Sequence, residues 1–304
     1  MSHAPSNQPF QRLPGGPASF HANACALPPT QPKLGSLRMR SHLTQRACRF
    51  AIVLMGFAAH LQQPSRAVPP AESRDLILVA GQSNAVGYDA YAEELPADTK
   101  DEKTLFWWRV GDPPPDDFDG TSRRQWTTLQ FQPRTPAMEG EEAKKIGRQY
   151  GNFNKKSKGG FGPEIGLVRT LTGQQDRPLA VIKTAFSGTS VAGDWNVGQP
   201  GKADACYRAM IEETKAALAS AKEKGVSLRP RALVWVQGES DAHPQHADAY
   251  VANLSAMLTR LRGELDAPEM ILLLGVNTKF GNGKNPHMPK IIESQKEVAA
   301  ALPR

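Results

Sequence analysis

Three polar clusters stand out in the 304-residue sequence because each follows closely on a short apolar run. Leu76-Ile77-Leu78-Val79-Ala80 leads into Gly81-Gln82-Ser83-Asn84, and residues 179–184 lead through Ala185 into Phe186-Ser187-Gly188-Thr189-Ser190. Residues 232–236 lead into Gln237-Gly238-Glu239-Ser240-Asp241, while a fourth run, 270–274, ends on the less distinctive Gly275-Val276-Asn277-Thr278. Ser83 carries the most direct chemistry. Behind a glycine and ahead of a helix start, its hydroxyl stands at a turn whose backbone N–H groups aim at the same point, which suits a nucleophile in acyl transfer that supplies one of its own oxyanion donors. The same position suits a helix cap, by Ser83 or by Asn84, and spacing leaves both readings open. Phosphate chemistry has no such support, since the turn lacks both Gly-x-Gly-x-x-Gly and Gly-Lys-Ser/Thr.

Apolar runs of this length read as strands buried on both faces. Helical periodicity fills the gaps: 163–171 with Pro163 near the first turn, 203–224 ending at Gly225, 246–265 with Tyr250, Leu254, Met257, Leu258 and Leu261 on one side, and 289–302. Strands alternating with such helices predict an α/β fold with a parallel sheet covered on both faces, and ligands of such sheets bind at the carboxyl ends of the strands, where the three clusters lie. Residues 88–160 break the rhythm and read as a long excursion with one or two extra strands. In it, Trp107 and Trp108 read as strand neighbours packing to opposite sides, with stacking on a sugar as the rival role. Gly159-Gly160, after the basic stretch 154–158, reads as a flexible turn. Asp241 reads as a cap for the helix that follows it.

Hydrophobic residues at 39% and charged residues at 22% fit a globular protein with an ordinary core. The net charge of +7 suggests an anionic partner until its location is counted. Arg12, Lys33, Arg38, Arg40, Arg46, Arg49 and Arg66 all precede residue 68, where no acid occurs; the remaining 30 basic residues meet 30 acidic ones. Nucleic acid is therefore not an expected partner, because that binding needs a surplus of Lys and Arg. Residues 1–38, rich in Pro, Ser, Ala, Gly and Gln, read as disordered or as an extension ahead of a true start at Met39. Residues 39–67 read as a secretory signal: bases up to Arg49, an apolar run from Phe50 to Ala59, and Ser65-Arg66-Ala67 with small residues where a signal peptidase inspects. That run is about half the ~20 residues needed to span a bilayer, so export without a permanent membrane anchor is expected. Cys25 and Cys48 fall in the segment to be removed, which leaves Cys206 as a lone buried thiol with no disulfide and no Cys-based zinc site.

Taken in order, Gly81-Gln82-Ser83-Asn84, Gly162-Pro163-Glu164, Lys183 to Ser190 followed by Trp195, and Trp235 to Asp241 followed by Tyr250 and Leu254 resemble the sialate O-acetylesterase and acetylxylan esterase branch of the SGNH hydrolases, close to carbohydrate esterase family 6. The resemblance spans about residues 75–302 and places an esterase domain at 71–304. It implies a three-layer, flavodoxin-like sheet and removal of acetyl groups from an acetylated carbohydrate, with no metal or other cofactor. By the same resemblance Ser83 is the nucleophile, and its own N–H, the N–H of Gly188 and the side-chain amide of Gln237 hold the oxyanion; each such donor is worth about 3 kcal/mol. A hydrogen bond within the rim of the sheet is the other reading of Gln237. Gln82, Asn84 and Glu239 support the site, Glu239 by accepting loop N–H groups in preference to orienting an imidazole.

The family's general base sits in an Asp-x-x-His block after one further strand. Of the histidines beyond residue 67, His243, His246 and His287, none is in that frame, and each reads as a loop or helix-start residue. The expectation is therefore a sheet lacking its C-terminal strand, with an unpaired edge, and a nucleophile whose base is absent from these 304 residues. A catalytically inactive carbohydrate-binding relic, stacking sugars on Trp107, Trp108 or Trp195, is the alternative.

Overall fold

The computed structural model of the chain describes residues 72–114, 120–133, 157–174 and 177–302. Residues 39–67, read as a secretory signal, the segment before them, and residues 154–156 and Pro115 of the excursion lie outside the described residues.

Each apolar run forms a strand. β1 (Glu72–Gly81) is flanked by β7 (Leu179–Phe186) and β8 (Val226–Val236), and β9 (Ile271–Gly275) lies beyond β8. All these pairings are parallel. β2 (Leu105–Gly111), from the excursion, joins the outer side of β7, also parallel. Two-residue strands β3 (Gly120–Thr121) and β4 (Thr127–Thr128) pair antiparallel with β2. Leaving out β2 and numbering the other parallel strands in chain order, their order across the sheet is 2-1-3-4, the opening of the flavodoxin-like 2-1-3-4-5. The strand order therefore changes direction at β1 while all of these strands stay parallel, and the crevice at this switch point receives the ends of β7, β1 and β8.

Helices cover both faces. α3 (Ala205–Glu223), α4 (Tyr250–Glu264) and α5 (Met288–Ala301) pack with Leu76, Leu78, Ile182, Leu233 and Trp235 on one side. The four-residue α1 (Ser83–Val86) and α2 (Pro163–Thr172) pack with Ile77, Val79, Val181 and Val234 on the other. This two-sided burial is why the strands read as continuous apolar runs and not as alternating ones. It also decides the two tryptophans. They point to opposite faces of β2, but both faces are covered, so Trp107 enters one core and Trp108 the other. Trp195 is fully buried as well, against Trp235 at 5.0 Å. None of the three offers a face to a sugar.

Two local expectations are corrected. Gly159 and Gly160 are not a flexible turn; they form the buried strand β6, paired antiparallel with β5 (Gln132–Pro133), and a Cβ on Gly159 would stand 2.2 Å from the Gln132 carbonyl oxygen. β8 starts at Val226, six residues before its apolar run, because Val226 to Arg231 alternates half-buried and exposed while pairing with the start of β1. Pro230 lies in that stretch, beside the shift in register between Leu76 and Ile77, where a residue without an N–H is tolerated. β9 is an outer strand paired only with β8, and it exposes Ile271 and Leu273, each 44% accessible.

Candidate functional site

The turn that carries Ser83 is set by close backbone approach. Gly81 ends β1 at φ 136°, and a Cβ there would lie 2.1 Å from the carbonyl oxygen of Val236 on β8. The chain then turns at once: Gln82 N–H donates to that same oxygen at 3.0 Å, and the Gln82 carbonyl accepts from Ala85 and Val86 to start α1. Gly87, at φ 92°, ends it one turn later, donating to the Ser83 carbonyl at 2.9 Å. Neither Ser83 nor Asn84 caps this helix. Its N-terminal flank is Gln82, with no side-chain cap, and the Asn84 amide donates instead to Glu239. The Ser83 hydroxyl and the N–H groups of Ser83 and Gly188 find no partner among the described residues.

Ser83 and Gly188 line one cleft of about 600 Å³, together with Gln82, Asn84, Glu239 and Ser240. Gly188, at φ 68°, turns the chain just beyond β7, a left-handed conformation that a side chain would strain. Ser187, from the second polar cluster, adds to the wall, and the rest of it, which the sequence reading missed, comes from Tyr88, Asp89 and Phe280. Tyr88 and Asp89 open the excursion, and Phe280 follows β9 in a 3-10 turn; no motif marks any of them. Among the described residues, no histidine lines the cleft.

Gln237, expected as a third oxyanion donor, has its amide engaged away from the cleft. It is fully buried and outside the cleft lining. Its Nε2 donates to the Thr189 carbonyl at 3.0 Å and to Asp241 Oδ2 at 2.6 Å, which uses both amide hydrogens, and its Oε1 accepts from the Tyr250 hydroxyl at 3.2 Å. The end of a buried strand holds this side chain firmly, as expected, but aims it beneath the loop and not into the crevice. Asp241 is likewise no helix cap; its carboxylate accepts the N–H groups of Val191 and Ala192. Burial pushes its carboxyl above the ordinary range, against those hydrogen bonds.

The remaining supports tie separate loops together. Glu239 Oε1 accepts from the Asn84 amide at 2.6 Å and from the Asn277 N–H at 2.9 Å, so one carboxylate joins α1 to the end of β9. Gln82 Oε1 accepts from the Ser240 N–H at 3.3 Å. Glu239→Ala leaves two partners unsatisfied and is expected to cost about 1–3 kcal/mol in urea unfolding; a change below about 0.5 kcal/mol, the ordinary size for a surface substitution, would show that these loops are anchored elsewhere. Beneath α1 lies a buried ion pair that carried no assignment from the sequence. Lys183 Nζ donates to the Val86 carbonyl at 2.9 Å, to Gln132 Oε1 at 2.8 Å and to Glu164 Oε1 at 2.9 Å. Burial pushes this ammonium below its ordinary range, while the Glu164 charge pulls it back.

None of His243, His246 and His287 lines the cleft, although His246 lies near enough to Asp241 to act on its carboxyl electrostatically. His243 Nδ1 accepts the Gln245 N–H at 3.3 Å, His246 precedes the 3-10 turn Ala247–Ala249, and His287 precedes α5. No cluster of three or more His, Cys, Asp or Glu that could hold a metal ion occurs among the described residues, and no helix among them is long and apolar enough to cross a membrane.

Comparison with known proteins places this architecture. No curated protein matches the chain. Among solved structures, a protein from Arabidopsis thaliana is 16% identical with a TM-score of 0.49, over 76% of this chain and 82% of that one. NanS is 17% identical with a TM-score of 0.46, over 76% and 75%. A carbohydrate acetylesterase from Xanthomonas citri is 16% identical with a TM-score of 0.45, over 74% of this chain and 47% of that one. The family model described as "Carbohydrate esterase, sialic acid-specific acetylesterase" matches residues 73–303, the stretch that contains the Ser83 cleft and all of the described sheet but Glu72. With that match over most of its length, the chain belongs to the carbohydrate esterase family of sialic acid-specific acetylesterases.

Proposed function

We propose that this chain is a serine hydrolase domain that removes O-acetyl groups from carbohydrates, with Ser83 as nucleophile and the N–H groups of Ser83 and Gly188 as oxyanion donors. One observation carries the reading. A hydroxyl and two backbone N–H groups without partners, in a structure that satisfies most of its buried polar groups, belong to residues that line the same cleft. In the reaction, Ser83 Oγ bonds to the acetyl carbonyl carbon, the carbonyl π pair moves to oxygen, and the two N–H groups meet the charge that forms there. Each is worth about 3 kcal/mol in the transition state. The sugar oxygen leaves with a proton, and water then releases acetate from the acylated serine.

The proton of Ser83 needs an acceptor, and no histidine lines the cleft among the described residues. The same proposal therefore takes the base to be a group other than a histidine of the described cleft wall. Export through residues 39–67 completes it, with acetylated saccharide met outside the cytoplasm. The test measures acetate release from 4-nitrophenyl acetate, acetylated xylan and O-acetylated sialic acid, by this chain and by a form extended through the downstream coding sequence. Hydrolysis that appears or rises by at least about 100-fold on extension is the expected result, the size of a general-base contribution. Saccharide binding without turnover by both lengths would favour the inactive relic.

A further inference from the structure

The loop after β7 holds one of the two proposed oxyanion donors, so its stiffness bears directly on catalysis. Residues 187–194 contain no helix or strand, and their backbone keeps one conformation only through the bonds that tie it down. Some ties are internal: Thr189 Oγ1 donates to the Phe186 carbonyl at 2.8 Å, and the Ser190 N–H donates to Asp194 Oδ2 at 2.8 Å. At the start of the loop, Ser187 N–H reaches the Gly111 carbonyl on β2 at 2.8 Å. On the far side of Gly188, Trp195 Nε1 donates to Thr189 Oγ1 at 2.9 Å, Asn196 Nδ2 to the Ala192 carbonyl at 3.2 Å and the Cys206 N–H to the Asp194 carbonyl at 3.0 Å, while two side chains from the end of β8 and the turn after it hold the 189–192 backbone. Asp241 Oδ2 accepts the Val191 N–H at 2.8 Å, Asp241 Oδ1 accepts the Ala192 N–H at 3.1 Å, and Gln237 donates to the Thr189 carbonyl at 3.0 Å. Gln237 also donates to Asp241 Oδ2 at 2.6 Å, which joins the two into one unit.

Asp241 is wholly buried and lies outside the cleft lining, so it touches no substrate. A carboxylate there is costly unless its oxygens are filled, and two successive backbone N–H groups with an amide fill them. We infer that Asp241, braced by Gln237, is a positioning residue that holds the 189–192 backbone so that the Gly188 N–H stays turned into the Ser83 cleft. The catalytic half of this inference rests on the esterase reading of the cleft; the anchoring half rests on the hydrogen bonds alone.

The test separates the two halves. Asp241→Asn keeps the shape but sets an amide donor against N–H donors. Hydrogen–deuterium exchange in peptides covering 187–195 is expected to accelerate at least about tenfold, with exchange in β1 and β7 unchanged. In the form that turns over, kcat for acetate release is expected to fall at least about tenfold with KM within about twofold, because the oxyanion exists only beyond the ground state. Gln237→Met, which leaves both Asp241 bonds to the loop in place, is the milder variant, expected to accelerate the same peptides about threefold. Unchanged loop exchange in both variants, or acceleration spread equally over β1 and β7, overturns the anchoring. Faster loop exchange with unchanged kcat overturns the link to the oxyanion donor. The exchange readout needs no turnover, so a parent chain silent in both lengths overturns the esterase reading, and the donor role with it, while the anchoring is still decided.

Discussion

Ser83→Ala is expected to lower acetate release by at least about 10³-fold, in whichever length of the chain turns over, without a change in unfolding midpoint. The first half follows from the chemistry. With no oxygen to acylate, hydrolysis must proceed by direct attack of water, aided only by binding and by the backbone N–H groups of residues 83 and 188, and a loss of that size corresponds to about 4 kcal/mol of transition-state stabilisation. The second half follows from the structure. The Ser83 hydroxyl has no hydrogen-bond partner among the described residues and is only partly buried, so removing it leaves no group unsatisfied; a change within about 0.5 kcal/mol is the size expected. The backbone N–H at residue 83 survives the substitution, which separates the nucleophile from the oxyanion donors. Retention of more than about a tenth of the activity would place the nucleophile elsewhere. Ser83→Cys adds an independent measure of access: a thiol there should react with iodoacetamide, whereas the buried Cys206 should not.

How far the sequence alone reached depended on whether an element speaks through its own residues. The strands that end at Gly81, Phe186 and Val236 are legible because parallel strands with helices on both sides leave no polar face, and the glycines at 81 and 188 mark turns that only a residue without Cβ makes easily. The start of β8 was hidden, since Val226 to Arg231 alternates and contains Pro230, features of a loop until β1 is known to lie beside it. β2 was read as an accessory strand although it extends the parallel sheet, because nothing in Leu105 to Gly111 says which strand it will meet. For the site, position was legible and orientation was not. Gln237 does stand at the end of its strand, but the acceptors that capture its amide, Thr189 and Asp241, lie 48 residues upstream and 4 downstream, and only the folded chain brings them to the same point. Asp241 looked like a cap for the same reason: a short acidic side chain before a helix is a local signal, and the Val191 and Ala192 N–H groups that outcompete the helix are distant ones. Lys183 and Glu164 stood in two of the blocks that carry the family resemblance, but nothing local showed that they pair, because 19 residues separate them.

That lysine gives the largest expected effect on stability. Lys183→Met removes an ammonium whose side chain, like that of Glu164, has no solvent exposure, and it leaves the Glu164 carboxylate buried with only the Gly162 N–H at 2.9 Å and the Gln132 amide at 3.2 Å to satisfy it. Glu164 Oε2 already has no hydrogen-bond partner, so the carboxylate has no reserve of donors to turn to. The expected cost is about 3–5 kcal/mol in urea unfolding, the range for breaking one side of a buried pair. Removing both charges in Lys183→Met/Glu164→Gln is expected to recover at least half of that loss, because the uncompensated charge is the main cost and the attraction itself is largely offset by desolvation. A double variant as unstable as the single one would mean that Lys183 matters chiefly through its bond to the Val86 carbonyl. That outcome has its own consequence for the site. Val86 is the last residue of α1, and Ser83 is its first, so the ammonium closes from below the same turn that Gly81 and Val236 close from above. The two contributions are separable by asking whether Ser83→Cys in the double variant still reacts with iodoacetamide at the parent rate. A charge pair that serves stability alone leaves that rate within about twofold, while one that shapes the turn changes it by the factor by which the thiol's access or its N–H environment has moved.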